Sequence, residues 1–299
     1  MLGPFNILVI YPHPADSATE ASGTVAIHSE KGDRITSVIV THGERHHMQW
    51  LADQKAMPEN QRDPDLKSLT LESYRNFKAR ESERVAEILG VHELIMLGWK
   101  DHEIYFDLEK VHQIADLIMK IKPDILITHI PADDSPVIDD HPSTGRIVMK
   151  ALEVAQNRVM EFDGVDAYHG VKQVFFSFSA GQEANAKSVF VPGIIPDVWI
   201  DTTSVIDKKV HAIDQITSQG YEGETARWIV EARDGRWGMI AGCAYAEPFL
   251  RPEGVLYNDL PMPPRVLNKH YRPTELHFGR GSARDIPSGT PTEAYKLKL

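Results

Sequence analysis

An α/β protein with a mostly parallel sheet and helices on both faces is what this sequence predicts, and three patterns predict it. Short β-branched runs alternate with longer amphipathic runs through the first half of the chain. The short runs are apolar throughout, as strands covered on both faces require. Polar residues gather just after those runs, where open α/β sheets bind their ligands.

The elements follow in order. Asn6 to Tyr11 (NILVIY) reads as a buried strand between Pro4 and Pro12. Asp16 to Glu30 reads as a helix stopped by Gly32. Ile35 to Thr41 is a second strand, and residues 46 to 67, polar and with two prolines, read as a long loop over the strand ends. Leu71 to Leu89 places Tyr74, Phe77, Val85 and Ile88 among charges and ends at Gly90, the mark of a surface helix. Glu93 to Leu97 is a third strand. Leu108 to Ile121 is a helix with Val111, Ile114, Ala115 and Ile118 on one face, and Ile125 to His129 is a fourth strand. The next helix runs from Pro142 to Val154. Beyond residue 171, Val174 to Phe178 and Val198 to Ile200 read as strands, Ser204 to Ile216 and Glu222 to Glu231 as helices. From Pro252 the chain is proline-rich with little periodicity. The division is therefore a catalytic-type domain over 1–251 and an extended arm over 252–299, read either as a loose tail or as a segment that covers a pocket or swaps into a homo-oligomer partner.

Composition narrows the function. The formal net charge is -11 with no compensating basic run, which excludes sequence-independent binding to nucleic acid or an anionic membrane surface. A small-molecule substrate remains, because a local pocket can be basic on an acidic chain. The single cysteine, Cys243, excludes an intrachain disulfide and a Cys-rich metal site. No stretch approaches the ~20 apolar residues of a membrane helix, and no signal-peptide pattern opens the chain; the expectation is a cytoplasmic protein. The turn after the first strand has no G-x-G-x-x-G, and Pro12 and Pro14 remove the backbone donors that cradle a pyrophosphate.

Three polar clusters follow strands: Pro12-His13-Pro14-Ala15-Asp16, His42-Gly43-Glu44-Arg45-His46-His47, and Asp133-Asp134 with Asp139-Asp140-His141. His13 and Asp16, three residues apart at a strand-to-helix turn, can reach one cation, and His141 would be the third ligand. Two imidazoles and a carboxylate around an otherwise open ion form a catalytic-zinc arrangement, in which a bound water has its pKa lowered to ~7. The competing reading is a helix cap or a local hydrogen bond, and spacing alone leaves that reading ahead. His46 and His47 read as solvated side chains.

The segment PHPADSATEASGT after the first strand resembles the signature of the PIG-L/LmbE superfamily, whose pattern there is HPDD or a variant. The resemblance continues through THGE, ARESERVAEILGV, LITH followed by DDHP, KKVHAIDQITSQ and AYAEPF, spanning roughly residues 5 to 250. It implies a Rossmann-like fold, zinc at His13, Asp16 and His141, and hydrolysis of an N-acyl bond on a small molecule.

The chain departs from the deacetylase pattern at two places. The acidic residue that serves as general base in the family is Ala15 here, and the histidine three residues before the metal-binding histidine is Ile138. General acid–base catalysis contributes roughly 10²–10⁴-fold, so another group must move the proton. Glu44 is the first candidate base, with a salt bridge as its equal alternative. Asp139 and Asp140 come next, Asp140 also as a partner orienting His141, and His169 and His129 are weaker candidates for the acid. The zinc-dependent 4-oxalomesaconate hydratase branch of the superfamily shares the alanine and a GER segment, matched here by Gly43-Glu44-Arg45, and Arg45 would then hold a substrate carboxylate. Their later histidine is not evident in Phe175 to Gln182. The prevalence of deacylation in the family puts the hydrolase first and the hydratase second. A catalytically silent metabolite-binding relative comes third.

Overall fold

The computed structural model describes residues 4–45, 48–132, 139–157, 170–178 and 195–262. Five parallel strands form the central sheet: β1 (Asn6–Tyr11), β2 (Arg34–Thr41), β3 (Glu93–Trp99), β4 (Ile125–His129) and β5 (Gln173–Ser177). Their spatial order is β3-β2-β1-β4-β5. The chain thus builds outward from β1 in one direction and then the other, and the switch falls between β1 and β4.

Alternation along β1 sends Ile7, Val9 and Tyr11 to one face and Leu8 and Ile10 to the other, and both sets are buried. The first face is covered by α1 (Pro14–Thr19), α2 (Ser22–Glu30), α4 (Leu71–Leu89), α7 (Ile206–Ile213) and α8 (Glu224–Val230). The second is covered by α5 (Leu108–Ile121) and α6 (Asp140–Asn157), which contribute Val111, Ile114, Ile118, Ile147, Val148 and Ala151. The predicted α/β fold, a mostly parallel sheet with helices on both faces, is the fold observed.

Several boundaries differ from the sequence reading for local reasons. The helix expected from Asp16 to Glu30 is two helices, broken at Glu20–Ala21. Thr19 Oγ1 and Ser22 Oγ donate to the carbonyls of Ala15 and Ala18, a back-bonding that competes with the helical ladder. Glu247 then restarts the helix by accepting from the backbone N–H groups of Gly23 and Thr24. The loop expected over 46–67 contains α3 (Gln49–Ala56), none of whose residues is buried, so no apolar stripe announced it. The helix expected from Pro142 starts at Asp140, with proline tolerated in the first turn. The helix expected over Glu222 to Glu231 begins at Glu224 and passes through a five-residue π-helical turn, Glu231–Gly235, into α9 (Arg236–Ala241). Near the end of the described chain, β6 (Val198–Asp201) pairs antiparallel with β7 (Ala246–Phe249), a four-residue strand that the periodicity did not reveal. Residues 252–262 carry no helix or strand and are largely exposed; the rest of the expected arm lies outside the described residues.

Candidate metal centre

The carboxyl ends of β1, β3 and β4 converge on one cluster. His13 is the N-cap of α1, in extended backbone conformation, and its own N–H donates to Asp16 Oδ2 over 2.9 Å. The capping role anticipated for this pair is therefore present. The same carboxylate also lies 3.2 Å from His13 Nδ1 and, through Oδ1, 3.4 Å from His141 Nε2. The rings of His13 and His141 stand edge to face, 4.9 Å between centroids. His141 reaches this place because α6 presses against the end of β4: a Cβ at Gly145 would collide with the His129 carbonyl oxygen and crowd the Pro131 backbone.

Each imidazole turns one nitrogen inward and has its other nitrogen beside a carboxylate. His13 Nε2 lies 3.1 Å from Asp101 Oδ1 and 3.3 Å from Asp140 Oδ2. His141 Nδ1 lies 2.6 Å from Asp139 Oδ1. Asp140, expected to orient His141, orients His13 instead, because its place at the start of α6 turns it toward the loop after β3. There it accepts from the backbone N–H groups of His102 and Ile104. Asp139 takes the place beside His141.

The electrostatics follow from this crowding. Burial alone would lower the His13 pKa, but Asp101, Asp140 and Asp16 raise it well above the ordinary histidine value. Burial likewise opposes protonation of His141, yet Asp16 and Asp139 push it up to about 10. Asp16 is held well below the usual carboxylate range, against the effect of burial, by His141 and His13. Asp101 and Asp139 are also depressed, each by its histidine, against burial.

His13, Asp16 and His141 each offer one ligand atom, all within 4.8 Å of one another. Metal bonds of about 2.0–2.1 Å at tetrahedral angles separate ligand atoms by about 3.3 Å; Asp16 comes this near to both histidines, 3.2 Å from His13 Nδ1 through Oδ2 and 3.4 Å from His141 Nε2 through Oδ1. The outer carboxylates supply the partners that metal-bound imidazoles characteristically have. Four carboxylates around two imidazoles leave a negative charge that a dication would neutralise. The residues present fit a zinc-type ion.

The remaining predicted site residues lie on the elements around this cluster. Glu44 is buried, its Oε1 ion-paired with Arg75 from α4 and its Oε2 without a hydrogen-bond partner among the described residues. The salt-bridge alternative for Glu44 is thus realised, though with Arg75 and not Arg45. Gly43, at φ +65°, makes the turn that delivers it. Arg45 is drawn to the loop after β3: its N–H donates to Asp101 Oδ2 and its guanidinium pairs with Glu103. His129 is wholly buried, its Nε2 3.1 Å from Glu20 Oε1, while Ser177 Oγ donates to the other Glu20 oxygen over 2.5 Å. His46, His47, Asp133, Asp134, Ile138 and His169 lie outside the described residues.

Sequence reasoning missed Asp101 and Lys78. Asp101 follows β3 as the other site residues follow β1, β2 and β4, so the same rule applied to the third strand would have found it. Lys78, wholly buried in α4, donates to Ser218 Oγ over 3.1 Å beside Gly43; no spacing in the sequence marks it. Among the described residues no helix is long and apolar enough to cross a membrane.

Comparison with known proteins fits this geometry. Residues 8–152 match the GlcNAc-PI de-N-acetylase (PIG-L) family. The chain is 26% identical over 249 residues to a 4-oxalmesaconate hydratase from Pseudomonas putida, covering 83% of this chain and 87% of that protein. It is 24% identical over 271 residues to a diacetylchitobiose deacetylase from Thermococcus kodakarensis, covering 86% and 88%. Its fold matches the crystal structure of the 4-carboxy-2-hydroxymuconate hydratase from Pseudomonas putida KT2440 with a TM-score of 0.68, at 23% identity over 85% of this chain and 99% of that one. These relatives are enzymes, and the chain is an enzyme of their hydrolase-or-hydratase type. The match covers the strands and loops that build the cluster, and along most of its length the chain is similar to proteins of the PIG-L/LmbE superfamily, the hydratase branch among them.

Proposed function

We propose that this enzyme is a zinc-dependent hydratase that adds water across the activated double bond of an unsaturated oxo-dicarboxylic acid. The observation that carries the reading is Ala15. It is buried in the first turn of α1 between the two ligands His13 and Asp16, and its methyl group cannot accept the proton that amide hydrolysis removes from water. The similarity to the hydratase from Pseudomonas putida along most of both chains supports the same reading.

His13, Asp16 and His141 would hold the zinc, with Asp101, Asp140 and Asp139 fixing the two rings. When bound, zinc supplies Lewis acidity and lowers the pKa of a bound water to ~7. Glu44 is the proposed base. Arg75 fixes the carboxylate through Oε1 and leaves Oε2 for the proton, which returns to the carbon next to the one that receives the hydroxyl. Arg45, the proposed carboxylate holder, shares its guanidinium with Glu103, and its side chain is 45% exposed, so a substrate can reach it.

The intact ligand set and the similarity to a diacetylchitobiose deacetylase over 86% of the chain favour deacylation as the second reading. Assay of the zinc-loaded protein against unsaturated oxo-dicarboxylates and N-acetylated sugars separates the two. Turnover of the first alone supports hydration, and turnover of the sugars alone overturns it. In Glu44→Gln, retained zinc with hydration reduced roughly 10²–10⁴-fold is the result expected of a general base.

A further inference from the structure

A cleft of about 360 Å³ opens between α3 and the turn Thr217–Gln219 that precedes α8. It falls within the range of about 300–1,000 Å³ typical of small-molecule sites. Met48, Leu51, Ala52 and Lys55 line it, with Gln49 and Gln219. The first four are spaced i, i+3, i+4 and i+7, so a single face of α3 forms the wall. No residue of this helix is buried, so these side chains are not spent on the core.

A chain of contacts links the cleft to the turn that carries His13. Ser218, next to Gln219, accepts from Lys78 Nζ, and a Cβ at Gly43 would lie 3.2 Å from Lys78 Cε and 3.1 Å from Pro14 Cδ. Pro14 sits between His13 and Asp16 in the chain. On the other side of Gln219, Gly220 turns at φ +72° directly against Gln49, and the Tyr221 phenol that follows feels the charge of Asp16. Lys55 is the charged residue of the lining, and among the described residues its ammonium has no ion pair. On a chain of net charge -11, an anion held here depends on that one cation.

We propose that this cleft binds the distal carboxylate of the substrate, with Lys55 as its anchor and Met48, Leu51 and Ala52 against the carbon chain. The assignment rests on the oxo-dicarboxylate reading above and makes Lys55 a specificity-determining residue.

The test is calorimetric binding to the zinc-loaded full chain, with 2-oxoglutarate and 2-oxobutyrate as probes that share the oxo-acid end and differ in the distal carboxylate. The expected result is at least about tenfold tighter binding of 2-oxoglutarate to the parent. Lys55→Ala narrows the gap to about threefold or less with 2-oxobutyrate unchanged, and Lys55→Arg keeps most of it. A gap that survives Lys55→Ala, or a parent that does not distinguish the two acids, overturns the proposal. Because Lys55 is exposed, the variant folds and the comparison stands. Hydration is assayed separately: a Lys55-dependent preference without any hydration removes the hydratase reading and leaves the subsite.

Discussion

Asp101 Oδ1 lies 3.1 Å from His13 Nε2, on the opposite side of the imidazole from Asp16. The ring is clamped between carboxylates at both nitrogens, Asp16 at Nδ1 and Asp101 with Asp140 at Nε2. Asp101 is itself fixed by the N–H of Arg45, so the loop after β2 and the loop after β3 together set the tilt of a proposed ligand that follows β1.

Asp101→Asn should therefore weaken zinc affinity about 10–100-fold without abolishing it, whereas His13→Ala should abolish stoichiometric binding. Competition with a chelator measures both. Equal affinity in Asp101→Asn and the parent would show that the clamp does not matter to the ion.

The metal-free protein should lose stability as pH rises through the alkaline range. Burial opposes the proton on His141, but Asp16 and Asp139 hold it up to about 10. Its contribution is present in full below the ordinary histidine pKa of about 6.5 and is lost as pH climbs through the folded-state value. An ion in the cluster takes the proton's place and removes this dependence. Melting curves of chelated and zinc-loaded protein from about pH 6 to 10 should diverge, the chelated form falling. Parallel curves would contradict it.

Gly145→Ala should destabilise the fold by about 1–3 kcal/mol, the usual cost of overpacking, and lower zinc content as well. The added methyl group meets the carbonyl oxygen of His129 and the Pro131 backbone, pushing back the helix that carries His141. Denaturant unfolding with metal analysis checks both. A stable variant with normal zinc would mean that α6 can shift freely.

Most of this site was legible because chemistry in a parallel sheet sits at strand ends. Reading along β1, β2 and β4 gave His13, Asp16, Glu44 and the Asp139–His141 segment. What could not be read is which carboxylate faces which ring. Asp139 and Asp140 are neighbours, and only the start of α6 decides that one meets His141 and the other His13. The partner of Arg45 was hidden for a similar reason, since Glu103 comes near only through the pairing of β2 with β3. The fold was read best where one face of an element is apolar, as in α4 and α5. It was read worst in α3, which buries nothing, and at Glu20–Ala21, where side chains bond back to carbonyls.

Lys209 is a separate point of vulnerability. Its ammonium is buried between Asp234 at 2.6 Å and Glu247 at 2.7 Å. Lys209→Met removes the buried cation that two buried carboxylates share and should cost about 3–5 kcal/mol. Lys209→Met with Asp234→Asn should recover part of that loss, as read by chemical denaturation. No recovery would show that the triad is not coupled.

Glu247 joins the two ends of the described chain. It accepts from the N–H groups of Gly23 and Thr24 and from Thr24 Oγ1, 224 and 223 residues earlier. During synthesis the three proposed metal ligands have all emerged by residue 141, but the second helix gains its cap only when residue 247 leaves the ribosome. On the proposed assignment, a nascent chain has its full ligand set before its fold is closed. Truncation before residue 247 would keep the three proposed ligands but remove the acceptor that caps the neighbouring α2.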